Sequence, residues 1–145
     1  MAQETFVIAY ESAEGDQRVL DYAIDRAARD GARLVVVHVL EWSPYSFLTP
    51  EELEERHVRR REEMDRARSA LIDPAVERAS RAGVEAEGDL QYGSVVRLLA
   101  RAAETHGASL VFVGRSGSDS IGARIFGSVP LGLAQLCHVP IVLVP

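Results

Sequence analysis

The sequence predicts an α/β fold, a parallel sheet with helices on both faces. Three observations carry this. Short apolar runs rich in β-branched residues recur five times along the 145 residues. Stretches with helical spacing of apolar residues separate them in strict alternation, βαβαβαβαβ, which is how parallel strands are connected. A loop with three spaced glycines, Gly114, Gly117 and Gly127, follows the fourth run and precedes a helix. Doubly wound sheets bind ligands at such turns, beyond the carboxyl ends of the strands.

The first run, Thr5–Tyr10, is nearly all apolar, as suits a strand buried on both faces. A polar turn follows from Glu11 to Asp16, and Asp16 stands where an N-cap belongs. Val19, Leu20, Ala23, Ile24, Ala27 and Ala28 then recur at helical spacing, and Gly31 stops that helix. Arg33–Leu40 is the second strand. Glu41–Phe47 reads as a loop holding Trp42, Pro44, Tyr45 and Phe47, which either pack locally or wall a pocket.

Thr49-Pro50-Glu51-Glu52 is a helix start, with Thr as N-cap, Pro at N1 and Glu at N3. To about Ser69 the helix is dense in charge, with Glu52/Arg56, Glu55/Arg59 and Glu62/Arg66 at i,i+4. Its apolar positions (Leu53, Val58, Met64, Leu71) are sparse, so it reads as a solvated helix. Asp73-Pro74 either kinks it or restarts it with Asp73 as cap, and Gly83 ends it. Val84–Leu90 is a strand with charged side chains, suited to a sheet edge. Tyr92-Gly93-Ser94 turns the chain, and Ser94 caps a helix through Val95, Leu98, Leu99, Ala102 and Ala103, stopped at Gly107. Leu110–Val113 is the fourth strand. Ser128 caps the last helix, Val139-Pro140 turns, and Ile141–Val144 is the final strand. No repeat or linker interrupts this order, so residues 1–145 read as one domain.

Composition narrows the function. The net charge is −6, and all 16 cationic side chains are arginines, because the sequence has no lysine. A Walker A loop and lysine Schiff-base chemistry are therefore excluded. The cause of the missing lysine, a GC-rich genome or a saline cytoplasm, stays open. An acidic chain without a basic stripe argues against nucleic acid as partner; the Arg59–Arg61 triplet is interleaved with acids. No apolar run nears the ~20 residues of a membrane span, and no secretory signal opens the chain. One cysteine, Cys137, excludes an internal disulfide. Together these read as a cytoplasmic protein without membrane association.

The spacing G114-x-x-G117, nine residues, G127-S128 carries the chemistry. Glycines allow φ > 0 and let a ligand approach the main chain without a Cβ in the way. Consecutive N–H groups, with those of a helix start, form a concave donor site for anions, usually phosphate. The alternative is a plain glycine-rich turn. If the first strand is central, with the fourth beside it, Glu11 and Gly114 open on one crevice. Other constellations are poor. His38, His57, His106 and His138 have no metal-ligand spacing, alone or with Cys137. A hydrogen-bonded structural role suits His38 at its strand end, a helix-dipole role suits His138, and Cys137 reads as a small buried hydrophobe. Ser116, Ser118 and Ser120 have no base beside them in sequence. Glu11 is the carboxylate placed near the loop, or simply a turn residue.

The glycine spacing resembles the ATP-binding motif of the universal stress protein family. The first strand with its acidic turn, His38-Val39, Tyr92-Gly93 and the terminal Val139-Pro140-Ile141-Val142 also resemble family features, so the likeness spans the chain. The resemblance implies a five-stranded parallel sheet of order 3-2-1-4-5 (Rossmann-like, adenine nucleotide alpha hydrolase-like) and a homodimer, here paired through the Ile141–Val144 edge. It implies ATP as cofactor, with any Mg or Mn held through the phosphates. By position, Ala9, Tyr10 and Glu11 would border the adenine, and Val39 would contact it through its backbone. Val113 and Gly114, with Gly117, Gly127, Ser128 and Val129, would cradle ribose and phosphates. Glu11 stands where the ATP-binding branch usually has Asp, and Tyr10 is bulkier than the residue often found there. The function implied is a nucleotide-dependent stress-response sensor or regulatory module with slow or no hydrolysis. The alternatives are a dimeric interaction module of the same fold that binds no nucleotide, and a slow ATPase with Glu11 as base.

Overall fold

The computed structural model describes residues 2–41, 49–115 and 128–145, the side chain of Ser128 excepted. Five strands, β1 (Thr5–Ala9), β2 (Arg33–Glu41), β3 (Ala86–Gly93), β4 (Leu110–Gly114) and β5 (Ile141–Val144), form one parallel sheet ordered β3-β2-β1-β4-β5. The helices are α1 (Gln17–Asp30), α2 (Pro50–Ala67), α3 (Asp73–Arg81), α4 (Val95–Thr105) and α5 (Ser128–Leu136). The expected strand order is the observed one.

Strand periodicity divides the apolar residues between two cores. Phe6, Ile8, Tyr10, Leu34, Val36 and Phe112 meet Val19, Leu20, Ala23, Ile24 and Ala27 of α1 and Ala75 and Ala79 of α3. Val7, Ala9, Val35, Val37, Val111 and Val113 face the other way, onto Leu99, Ala102 and Ala103 of α4 and Leu133 of α5. Every residue of β1 is buried, which explains why its sequence shows no polar alternation. The Phe6 and Phe112 rings lie 5.5 Å apart, tilted by 59°. Each such side chain contributes on the order of 1.5–3 kcal/mol by leaving water. Within α1 the apolar stripe holds except at Ala28, which is exposed.

Several local expectations need correction. β3 runs on through Tyr92 and Gly93, where a turn was expected, because β2 offers partners as far as Glu41↔Gly93. Charged residues did not mark its end, since β3 is an edge strand and keeps one flank in water. Helical backbone continues through Ile72 and Asp73, both αR, so Asp73-Pro74 does not restart the helix. Pro74 has no N–H to donate, and the preceding turn widens: Arg68–Ile72 is π-helical, with the Asp73 N–H bonded to the Arg68 carbonyl. Asp73 makes no side-chain cap. Nor does Ser94, although it holds the N-cap position with extended backbone. Thr49 does cap α2, its hydroxyl accepting the Glu52 N–H at 3.2 Å, with Pro50 first in the helix.

α2 is as solvated as its composition suggests, with Ala67 its one buried residue and Leu53 and Val58 exposed. Of its expected ion pairs, Glu55–Arg59 is formed at 3.9 Å. Arg60 lies over the Tyr92 ring, 4.3 Å from its centroid, and ties α2 to the end of β3. The aromatic loop from Trp42 to Phe47, and Gly117 and Gly127 with Ser116, Ser118 and Ser120, lie outside the described residues.

Candidate functional site

Strand order reverses at β1: β2 continues on one side of it and β4 starts the other. The carboxyl ends of β1 and β4 therefore flank the crevice where doubly wound sheets take ligands. Ala9 closes β1, paired with Val37 of β2, and Val39 lies two residues further along β2. Val113 and Gly114 close β4, paired with Leu143 and Val144 of β5. Ala9, Tyr10, Glu11, Val39, Val113 and Gly114 thus gather at one edge of three adjacent strands. Ala9 and Val113 are buried against α4 and α5. Val129 is half-buried on that same core, and α5 begins at Ser128 with Pro130 in its first turn.

The β1 end is fixed by main-chain bonds. The Tyr10 N–H donates to the Val37 carbonyl at 2.9 Å. The Tyr10 carbonyl accepts from His38 Nδ1 at 2.7 Å, which assigns the proton to that nitrogen. His38 is buried, so its structural role is the one the sequence suggested. Tyr10 points into the α1 core rather than into the crevice, so its bulk does not narrow the site. Burial, and then the nearby Asp16 charge, push its hydroxyl pKa up against the opposing pull of Arg78.

Asp16 is the residue the sequence reading missed. It occupies the N-cap position of α1 but makes no cap bond to the helix. Its carboxylate turns back and accepts the Glu11 N–H at 2.6 Å and the Ser12 N–H at 3.3 Å. Only 3% of its surface is exposed. Burial raises its pKa, while the two N–H donors and His38 oppose the rise. Glu11 is exposed as a residue, yet desolvation of its carboxyl and then repulsion from Asp16 raise its pKa also, with His38 opposing. An Asp before a helix can cap forward or clamp the loop behind it, and residue order alone does not distinguish the two.

Gly114 has a specific reason to be glycine. A Cβ there would stand 2.7 Å from Asp16 Oδ1 and 2.9 Å from Val19 Cγ2. The first turn of α1 thus presses on the end of β4, and Asp16 touches both sides of the crevice. On the α1 side of Gly114 a cleft of about 230 Å³ opens between Gly15, Arg18 and Val19 and the end of β5, with Arg115 at its rim. Beside it runs a groove of about 580 Å³ between Arg18, Asp21 and Tyr22 of α1 and residues 142–145.

The remaining candidates stand apart from the crevice. His106 Nε2 is 2.9 Å from Asp89 Oδ2, at the β3 edge. His138 is exposed, 3.5 Å from Glu104. Cys137 is half-buried against the α4–α5 core. Among the described residues no group of three or more His, Cys, Asp or Glu could hold a metal ion. No described helix is long and apolar enough to cross a membrane.

A five-stranded parallel sheet in the order β3-β2-β1-β4-β5, with a crevice at its switch point, defines a doubly wound α/β domain. Its place among known proteins is clear. The chain belongs to the universal stress protein family, whose model matches residues 4–145. Among solved structures it is similar to universal stress protein UspA from Lactobacillus plantarum, at 18% identity, covering 100% of both chains with a TM-score of 0.84. It is also similar to a universal stress protein in complex with cAMP, at 24% identity, covering 99% and 98% of the two chains with a TM-score of 0.70. A third is the universal stress protein from Archaeoglobus fulgidus in complex with dAMP, at 19% identity, covering 99% and 98% with a TM-score of 0.66. Among curated proteins none matches the sequence.

Proposed function

We propose that the chain binds ATP in the β1–β4 crevice and acts as a nucleotide-dependent stress-response module, with slow or no hydrolysis. The observation that carries this is the meeting of Glu11 and Gly114, more than a hundred residues apart, at the switch point of the sheet. Structures of two similar proteins contain adenine nucleotides, cAMP in one and dAMP in the other. In this reading the Val39 backbone and Glu11 hold the adenine end. Gly114, Gly117, Gly127 and Ser128 hold the phosphates, and Ala9, Val113 and Val129 form the floor. The phosphates would carry Mg or Mn. Slow hydrolysis follows from the absence of lysine and of any paired base at the described part of the crevice. The working unit in this reading is a homodimer joined through β5.

The test is calorimetric titration with ATP and adenosine, together with mass spectrometry of any nucleotide carried through purification. Wild type should bind both. Gly127→Val puts a branched side chain where phosphate must approach the backbone. It should weaken ATP at least about tenfold, near 1.4 kcal/mol, and adenosine much less. Equal losses for the two ligands would remove the phosphate role of the loop.

A further inference from the structure

We propose that the groove between α1 and β5 binds an amphiphilic anion, with its carboxylate or phosphate head held by Arg18 and Arg115 and its single hydrocarbon tail lying along β5. The groove follows from how the helices divide between the faces of the sheet. α1 and α3 cover one face, α4 and α5 the other. α1 packs on β1 and β4, and β5 lies one strand further out. The β4–β5 connection carries α5 across the opposite face, as right-handed crossovers do. Among the described helices none therefore stands beyond α1 on its own face, and the α1 side of β5 becomes one wall of an open channel. That channel, about 580 Å³, runs between Arg18, Asp21 and Tyr22 of α1 and residues 142–145. Tyr22 is 42% exposed, and its ring is braced on Phe112 with centroids 5.9 Å apart. It gives the channel a fixed apolar wall facing Val142 and Val144.

The channel adjoins the cleft of about 230 Å³ beside Gly114, and the two share Arg18, Val144 and Pro145. Here the lining changes from apolar to cationic. Arg18 comes from the first turn of α1 and Arg115 directly follows β4, so guanidinium groups enter from two separate elements. Neither has an ion pair to a described residue, and no acid is among the described residues lining this cleft. The carboxylates close by are engaged elsewhere. Asp21 pairs with Arg78 at 2.7 Å, and Asp16, behind Gly114, accepts the Glu11 and Ser12 N–H groups. Gly15 and Gly114 add no side chain to the cleft, which leaves room for a head group. A guanidinium offers parallel N–H donors that match a carboxylate or phosphate. A cationic cleft continuous with an apolar channel suits a ligand with one acidic and one hydrocarbon end. An inorganic anion would leave the channel unused, and a neutral hydrocarbon would leave the arginines without a partner. Neither arginine nor Tyr22 belongs to the residues given to ATP, so this site stands apart from the nucleotide reading.

The experiment titrates decanoate, decyl phosphate, decanol and inorganic phosphate into the full chain by calorimetry, below the micellar range, with octanoate and dodecanoate as a length series. Decanoate and decyl phosphate should bind with one molecule per chain. Affinity should rise about two- to fourfold per added methylene. Decanol and inorganic phosphate should bind at least about tenfold more weakly. Arg18→Gln and Arg115→Gln, both at exposed positions, should each weaken decanoate about three- to tenfold and leave decanol unchanged. Decanol binding as tightly as decanoate, or arginine variants that bind decanoate like wild type, overturns the proposal. So does inorganic phosphate binding as tightly as decyl phosphate, since the tail would then count for nothing. Decanoate binding seen only at dilutions where the protein is monomeric would mean that a second copy covers the channel, and overturns it also. Binding to phosphatidylglycerol vesicles without binding to dispersed decanoate would point to a membrane surface and overturns it as well. Failure of ATP to bind changes none of these outcomes.

Discussion

A single methyl group at Gly114 tests the geometry of the crevice without any ligand. In Gly114→Ala the new Cβ would meet Asp16 Oδ1 at 2.7 Å and Val19 Cγ2 at 2.9 Å. Carbon contacts settle at about 3.5–4.0 Å, so both neighbours must withdraw. Neither is free to do so. Val19 is 2% exposed, and Asp16 is held by two N–H groups. Relief therefore requires the first turn of α1 to move away from the sheet. Overpacking of this kind costs about 1–3 kcal/mol, and loss of the Asp16–Glu11 hydrogen bond adds about 1 kcal/mol. In the other direction, replacing Gly by Ala restricts the unfolded chain and returns about 0.4–1 kcal/mol. Sterics win, and the net loss is about 1–3 kcal/mol. Urea denaturation measures it, and hydrogen exchange at the Glu11 amide reports whether Asp16 has let go. In the double variant Asp16→Ala/Gly114→Ala the clash with Asp16 is gone and the Val19 contact remains, so its cost should be smaller than the sum of the two single costs. An unchanged urea midpoint with a still-protected Glu11 amide would refute the account of why this residue is glycine.

Two further outcomes follow from other contacts. A Cβ at Gly88 would lie 2.1 Å from Cγ2 of Ile72, a buried, β-branched residue of the π turn, so Gly88→Ala should lower stability by about 1–3 kcal/mol despite the gain in strand propensity; a urea midpoint at or above wild type would mean that the π turn yields freely. Leu143 is 51% exposed on the β5 edge beside the α1 groove, so Leu143→Glu should convert the proposed dimer to monomer in light scattering while the far-UV spectrum persists, and a variant that stays dimeric would place the interface elsewhere.

The fold could be read from the sequence because its determinants are local or periodic. Thr5–Tyr10 and Arg33–Leu40 are apolar runs because both faces of β1 and most of β2 are covered. Gly31, Gly83 and Gly107 end their helices with φ of 65°, 79° and 63°, a conformation that side chains resist. What escaped was set by partners far away in sequence. β3 is long because β2 continues beside it to Glu41. The outcome at Asp73-Pro74 was open because a proline removes one hydrogen bond without saying whether the helix breaks or widens. Ile72 of the π turn packs over Gly88 of β3, a neighbour distant in sequence.

The crevice divides in the same way. Its place was readable, since Glu11 lies just past the end of β1, Gly114 ends β4, and the topology alone brings them together. Asp16 holds the N-cap position, but its carboxylate bonds backwards to Glu11 and Ser12 and does not cap the helix. Capping is a property of the segment, but what Asp16 does depends on β4, nearly a hundred residues later, where Gly114 leaves space for its carboxylate. The same glycine that the spacing marked for phosphate also accommodates a buried acid. Asp16 therefore sets a buried carboxylate against Gly114, a feature that the glycine spacing alone does not contain.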